Sequence, residues 1–185
     1  MDRIADAFSV VARRRFLPRG ARFRAGFDGP IQIGRGQTNS QPRTVVAMLR
    51  LLDPQPGDRV LDVGSGSGWT TALLGRLVGP EGRVLGLEIE PALVDFGAAN
   101  LAREGMPWAR IEAAEPGVLG RPAEAPYDRI LVSAMARRLP DELTAQLTPA
   151  GVMVVPVAGH MLRVRRTGAG TEVTSHGQYR FVPLR

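Results

Sequence analysis

The run Leu61-Asp62-Val63-Gly64-Ser65-Gly66-Ser67-Gly68-Trp69 decides the fold. Arg59–Val63 reads as a short apolar strand, the glycines at alternate positions read as a turn over Gly64–Gly68, and Trp69–Val78 reads as a helix. Glycine belongs where the backbone turns tightly and a ligand must approach without meeting a Cβ. The unpaired N–H groups at the helix start then face that ligand. A dinucleotide site would read Gly-x-Gly-x-x-Gly, with the third glycine packing helix on strand. Trp69 stands at that third position, and its bulk argues against such a site. Working outward, Arg83–Glu88 is the next strand and ends on Glu88, 24 residues after Gly64. A carboxylate there can accept hydrogen bonds from both hydroxyls of a ribose. Alternation turns Glu90 another way or sets it at a helix cap. Asp62 either braces the turn or faces the ligand.

Further out, strands and helices alternate: a helix over Pro91–Arg103 stopped by Gly105, a strand over Arg110–Ala113, a strand over Arg129–Ser133, a helix over Pro140–Leu147 and a strand over Val152–Val157. This order predicts an α/β fold, a central, mostly parallel twisted sheet with helices on both faces. After His160 the helices cease. Leu162–Arg166, Thr171–Thr174 and Tyr179–Val182 read as strands of an antiparallel C-terminal edge. On the N-terminal side, residues 2–15 read as a helix with Ile4, Phe8 and Val11 on one face, and residues 16–36 as irregular. A helix follows at 41–52 with Val45, Met48, Leu49 and Leu52 on one stripe and Ser40 as its N-cap. The expected layout is one domain over 1–185: an N-terminal helix and loop (1–40), a core (41–157) and a β edge (158–185).

With 44% hydrophobic residues the chain can bury a core. No apolar run is long enough to span a bilayer, and no apolar segment follows Met1–Ile4, so neither a membrane association nor a signal peptide is expected. There is no Cys and there are two His, which argues against disulfides and against a metal site. A cytoplasmic protein is the default. The net charge is +6 and all 24 basic residues are Arg. These are spread along the chain, with small clusters at Arg13-Arg14-Arg15 and Arg163-Arg165-Arg166, and read as solvated surface rather than a nucleic-acid face.

The Gly-x-Gly-x-Gly spacing resembles that of S-adenosylmethionine-dependent methyltransferases, whose cofactor has no phosphate and rests its amino acid portion on the turn. Ile33-Gly34-Arg35-Gly36-Gln37-Thr38-Asn39-Ser40-Gln41-Pro42 resembles the substrate loop of the protein-L-isoaspartate O-methyltransferases, Gly-Gln-Thr-Ile-Ser-Gln-Pro in bacterial members, and departs from it at Asn39. Ala125-Pro126-Tyr127-Asp128, Pro156-Val157, Arg180-Phe181-Val182-Pro183-Leu184 and Val11-Ala12-Arg13…Phe16-Leu17-Pro18 sit as they do in that family. The likeness covers nearly the whole chain and implies a Rossmann-like class I methyltransferase.

The resemblance implies methyl transfer from S-adenosylmethionine, which leaves S-adenosylhomocysteine, to the carboxylate of L-isoaspartyl, and of D-aspartyl, residues in damaged proteins or peptides. It implies Ser40 as the active-site serine. Asp62, Gly64, Ser65, Gly66, Gly68, Glu88 and Ile89 would hold the cofactor. Gln37, Thr38, Asn39, Val182 and Leu184 would meet the substrate peptide. Family members usually carry Gly-Asp-Gly after the third strand of the core, with Asp reaching the adenine amine. Here Glu115-Pro116-Gly117 stands there, so Glu115 and Pro116 are the candidates on that side. The acceptor carboxylate, with a pKa near 4, is ionised at neutral pH, which explains why no general acid–base pair stands out. The protein is expected to act as a monomer. Alternatives are an aspartate-directed peptide-tailoring or other small-acceptor methyltransferase, and a cofactor-binding relic without catalysis. An amine-directed nucleic-acid enzyme would need Asn/Asp-Pro-Pro-aromatic where Ser133-Ala134-Met135-Ala136 stands.

Overall fold

A computed structural model describes residues 2–185. Its centre is a seven-stranded sheet in the order β5-β4-β3-β6-β7-β8-β9. The strands are β3 (Arg59–Val63), β4 (Arg83–Glu88), β5 (Ala109–Ala113), β6 (Tyr127–Val132), β7 (Leu147–Val157), β8 (His160–Thr167) and β9 (Gly170–Gln178). β5, β4, β3, β6 and β7 run parallel, and β8 and β9 close the edge antiparallel. A separate hairpin pairs β1 (Ile31–Gly34) with β2 (Gln37–Asn39). The helices are α1 (Arg3–Val10), α2 (Pro42–Leu52), α3 (Trp69–Val78), α4 (Pro91–Ala102) and the one-turn α5 (Asp141–Thr144).

Strand alternation divides the core between the two sheet faces. Val60, Val84, Ile111, Leu131 and Val154 face one way and pack with Ala7 of α1, Val45 and Leu49 of α2, Leu73 of α3 and Leu101 of α4. Leu61, Leu85, Ile130, Met153 and Val155 face the other way, against Leu143 of α5, Tyr127 and the loop residues Leu119 and Leu139. The second face therefore carries loops and a single helical turn, and the larger helices share the first. β3 has β4 on one side and β6 on the other, so the chain order reverses beside β3. The crevice beyond the C-terminal ends of such strands is where open α/β sheets bind ligands.

Several expected elements differ from those observed. The helix read over 2–15 stops at Val10, because Ala12 is extended and Arg13–Phe16 form a tighter turn that carries Arg13 inward. Residues 31–39, expected to be irregular or loop, form the β1–β2 hairpin, bulged between Gln32 and Gly34. Gln41 rather than Ser40 is the N-cap of α2, and it makes no side-chain cap bond. The Arg43 N–H is met instead by Asp28 Oδ1 at 3.1 Å. The helix read over 140–147 is one turn, because β7 already begins at Leu147. The stretch Tyr179–Val182 joins no ladder. It hangs on Met135, whose N–H donates to Val182 O at 2.7 Å and whose carbonyl accepts from Leu184 N at 2.8 Å. None of the helices among the described residues is long and apolar enough to cross a membrane.

Candidate active site

A cavity of about 500 Å³ opens at the crevice beside β3, within the range of small-ligand sites. Of the residues singled out in the sequence, Gln37, Thr38, Asn39, Ser40, Gly64, Ser65, Gly66, Glu88, Ile89, Glu115, Pro116, Val182 and Leu184 line it. Asp62 and Gly68 do not. Trp69 forms part of the wall without filling the hollow. Its indole donates to Val11 O at 3.1 Å and meets Phe8 edge-on at 5.3 Å, so the ring is anchored to the N-terminal segment.

The glycine turn is stitched to the end of β4. Gly64 N and Ser65 N both donate to Leu87 O, at 2.9 and 3.0 Å. Gly66 N donates to Glu88 Oε2 at 2.8 Å, while Glu88 Oε1 accepts from Ile89 N at 2.8 Å and Glu90 N at 3.0 Å. Glu88 is thus a buried carboxylate fixed by three backbone donors, and Oε2, which accepts only one of them, keeps capacity for a further donor such as a ribose hydroxyl. Gly68 serves packing rather than the ligand. Its φ is +87°, and a Cβ there would come within 2.9 Å of both Gly97 O and Ile111 Cδ1. Gly97 of α4 reciprocates, since a Cβ on it would lie 2.8 Å from Gly66 O.

Asp62 lies behind the turn, on the helix-covered face of the sheet. Its Oδ2 accepts from the hydroxyls of Thr70 and Thr71 at 2.8 and 2.7 Å, which ties β3 to the start of α3. Complete burial pushes its carboxyl up to about 6; the two hydroxyls pull it down and the negative charge of Glu88 adds to the rise. Asp62 therefore braces the turn, the first of the two roles its sequence position offers, and does not itself line the cavity.

The wall at 114–120 explains the unusual Glu115-Pro116. Ala114 N donates to Glu88 O at 2.9 Å, which continues the stitching. Glu115 lines the cavity with a largely exposed side chain, and its Oε1 lies 3.5 Å from Arg121 Nε. The remaining lining here, Pro116, Val118 and Leu119, suits a flat apolar base better than a hydrogen-bonded one. Two buried hydroxyls on the lining, Ser65 Oγ and Ser133 Oγ, have no hydrogen-bond partner among the described residues. Such groups are costly when dry and suit the charged end of an amino acid ligand. The residues present thus fit an S-adenosyl amino acid: Glu88 for the sugar, the glycine turn and the two hydroxyls for the polar end, Ile89 and Leu119 for the base.

The opposite wall is the hairpin and its continuation. Arg13, read in the sequence as part of a solvated cluster, is its main missed residue. It is 6% exposed and donates to Asn39 Oδ1 and O, Ser40 O, Ala25 O, Phe27 O and Gly29 O. Burial lowers its guanidinium to about 10, so it is charged at neutral pH. Asn39 passes the connection on, with Nδ2 donating to Ser67 Oγ at 3.1 Å. The only signal in the sequence was its place in Val11-Ala12-Arg13…Phe16-Leu17-Pro18; no local pattern tells a buried Arg from a solvated one. The last wall is the tail 180–185, whose Arg185 reaches Glu90 at 3.0 Å.

Comparison with known proteins agrees with this geometry. The family model described as protein-L-isoaspartate(D-aspartate) O-methyltransferase matches residues 1–185. A protein-L-isoaspartate O-methyltransferase of Methanopyrus kandleri is 44% identical over 188 residues, covering 99% of this chain and 83% of its own length. That of Anaeromyxobacter dehalogenans is 44% identical over 189 residues, covering 98% and 88%. A solved Plasmodium falciparum protein of the same description, in complex with S-adenosyl-L-homocysteine, superposes with a TM-score of 0.86 at 25% identity and covers 100% of this chain and 91% of that one. With a family model spanning its full length and relatives this similar, the chain belongs to the protein-L-isoaspartate(D-aspartate) O-methyltransferase family.

Proposed function

We propose that this protein transfers a methyl group from S-adenosylmethionine to the free carboxylate of L-isoaspartyl residues, and of D-aspartyl residues, in damaged proteins or peptides. The ester then closes to a succinimide, whose hydrolysis returns part of the damage to normal aspartate. The single observation that carries the reading is the facing of two walls across one cavity: the Glu88-fixed glycine turn on one side and the Ser40 loop on the other. When bound, the cofactor supplies an activated methyl on a sulfonium. Glu88 holds the sugar, the glycine turn with Ser65 and Ser133 holds the amino acid end, and Ser40 orients the acceptor. Gln37, Thr38, Asn39, Val182 and Leu184 enclose the peptide and exclude water. Because the acceptor is already a carboxylate, the residues act by alignment rather than by proton transfer.

In this reading the whole chain is one methyltransferase domain, in which 1–40 and 158–185 serve the acceptor and 41–157 the cofactor. It works as a monomer in the cytoplasm, and nucleic acid is not its partner. The test is transfer of labelled methyl to an isoaspartyl peptide, beside its normal aspartyl counterpart and tRNA. Base-labile label is expected in the isoaspartyl peptide alone. Ser40→Ala is expected to lower kcat/KM about tenfold, the loss of roughly 1.4 kcal/mol of hydrogen bonding. Label stable to acid and base, or equal label in the aspartyl peptide, overturns the reading.

A further inference from the structure

A buried guanidinium that forms no salt bridge is expensive unless its surroundings use the charge; the Asp28 charge acts on Arg13 but accepts no hydrogen bond from it. All six acceptors of Arg13 are neutral oxygens. Two of them are consecutive carbonyls of the acceptor loop, Asn39 O at 3.1 Å and Ser40 O at 2.9 Å, both on Nη2. The peptide bonds 39–40 and 40–41 are trans, since the cis bond among the described residues is Ala125-Pro126. In a planar trans peptide the C=O and N–H point in opposite directions. Fixing these two carbonyls on Arg13 therefore directs the N–H groups of Ser40 and Gln41 away from it.

Both residues line the cavity, and neither N–H finds a partner among the described residues. The Ser40 hydroxyl lies beside them. Behind them stands a fixed positive charge that polarises both peptide units and strengthens their donors. Asn39 locks the assembly to the cofactor side, taking Arg13 Nε on its Oδ1 at 2.6 Å and giving Nδ2 to Ser67 of the glycine turn. The same cavity holds the unpartnered buried hydroxyls of Ser65 and Ser133, an independent sign that it is built for a polar ligand.

We propose that Arg13 is a positioning residue for the transfer: by holding the carbonyls of Asn39 and Ser40, it presents the N–H groups of Ser40 and Gln41 as a cradle for the acceptor carboxylate. The proposal rests on the carboxyl-methylation reading above and extends it to what recognises the acceptor's charge. Two backbone donors and a hydroxyl favour an anion over a neutral amide. The methyl ester, having lost the charge, is held less firmly than the substrate, so the same cradle favours product release.

The experiment removes the donor without touching Arg13. Gln41 has φ −58°, which proline adopts without strain, so Gln41→Pro deletes the N–H, while Gln41→Ala keeps it and loses the same side chain. Calorimetry on the folded proteins measures three affinities: S-adenosylhomocysteine alone and, in its presence, an isoaspartyl peptide and the same peptide with that carboxylate as an amide. Gln41→Pro is expected to bind the isoaspartyl peptide at least about tenfold more weakly than Gln41→Ala, a loss of roughly 1.4 kcal/mol. The other two affinities stay within about threefold, as does the ratio between them. Arg13→Lys, which keeps the charge and cannot span all six acceptors, is expected to show the same selective loss. Equal isoaspartyl affinity in Gln41→Pro and Gln41→Ala overturns the proposal. So does a parallel loss of all three affinities, which marks a purely structural role. If the unaltered protein binds neither S-adenosylhomocysteine nor the isoaspartyl peptide, the methylation reading itself fails.

Discussion

The glycine-turn wall and the hairpin wall of the cavity hold their ligand-facing groups by different means. The first is made of strand ends and a helix start, locked by backbone hydrogen bonds between neighbouring strands and by glycines with no room for a Cβ. The second is made of short irregular segments, held by side chains that reach carbonyls far away in sequence: Arg13 to residues 25–40, and Gln41 to Asp28. A wall of the first kind is rigid because the sheet is rigid. A wall of the second kind depends on a few polar residues, and altering one of them releases a whole segment.

The largest effect that would sharpen this contrast comes from Gly68→Val. It adds a β-branched side chain at φ +87°, where a Cβ already meets Gly97 O and Ile111 Cδ1. A loss of about 3–5 kcal/mol is expected, lowering Tm by roughly 10 °C. A melt unchanged within a degree or two would break the claim that this wall tolerates no displacement.

Asp62→Asn comes next. The folded pKa of Asp62 lies at about 6, above its unfolded value near 4, so the native state holds the extra proton and stability falls as pH rises from about 4 to 6. This contribution is about 3 kcal/mol, fully present below about pH 4 and lost above about pH 6. Urea unfolding of the two proteins between about pH 4 and 7 should show their stability difference shifting by that amount in favour of the Asp62→Asn protein as pH rises. A pH-independent difference would mean that burial behind the turn does not raise the Asp62 carboxyl.

On the hairpin wall, Asn39→Ala removes the relay between Arg13 and Ser67. About 2 kcal/mol of stability is expected to go. Hydrogen exchange should quicken in residues 31–41 and stay constant in β3 and β4. Uniform quickening would show that the two walls are one unit. Arg185→Ala has the smallest effect. The pair with Glu90 is exposed on the Arg side, worth under about 1 kcal/mol, so S-adenosylhomocysteine affinity should change less than about fivefold.

The same contrast decides what the sequence reveals. β3, α3 and β4 are observed over the residues read from periodicity and glycine alone, because each is fixed by its own apolar pattern and its immediate turn. Glu88 was legible by its place at a strand end 24 residues after Gly64, and the structure sets its carboxylate on Gly66 N of the turn. Asp62 was legible with two roles open, bracing the turn or facing the ligand, and Gly68 as part of the turn but not for its packing. Which side of the sheet faces a helix, and how close two glycines approach, are facts of packing between segments. Arg13 gave no signal of its own, because its acceptors are mostly backbone oxygens that any sequence supplies. Ser40 read as a cap because Ser commonly is one, yet Asp28, far back in the chain, takes up the neighbouring helix donor and leaves the hydroxyl to the cavity. The tail read as a third strand for its apolar residues, but these line the cavity, and its backbone bonds only Gly159, through Tyr179, and Met135.

Trp69 carries a practical consequence. The protein has two tryptophans, and they report on different places: Trp69 borders the cavity, while Trp108 donates to Gly75 O away from it. Replacing Trp108 with Phe leaves a single tryptophan, which borders the ligand space and has the Arg13 cation 5.4 Å from its ring. Its emission then follows site occupancy in real time, with no label attached.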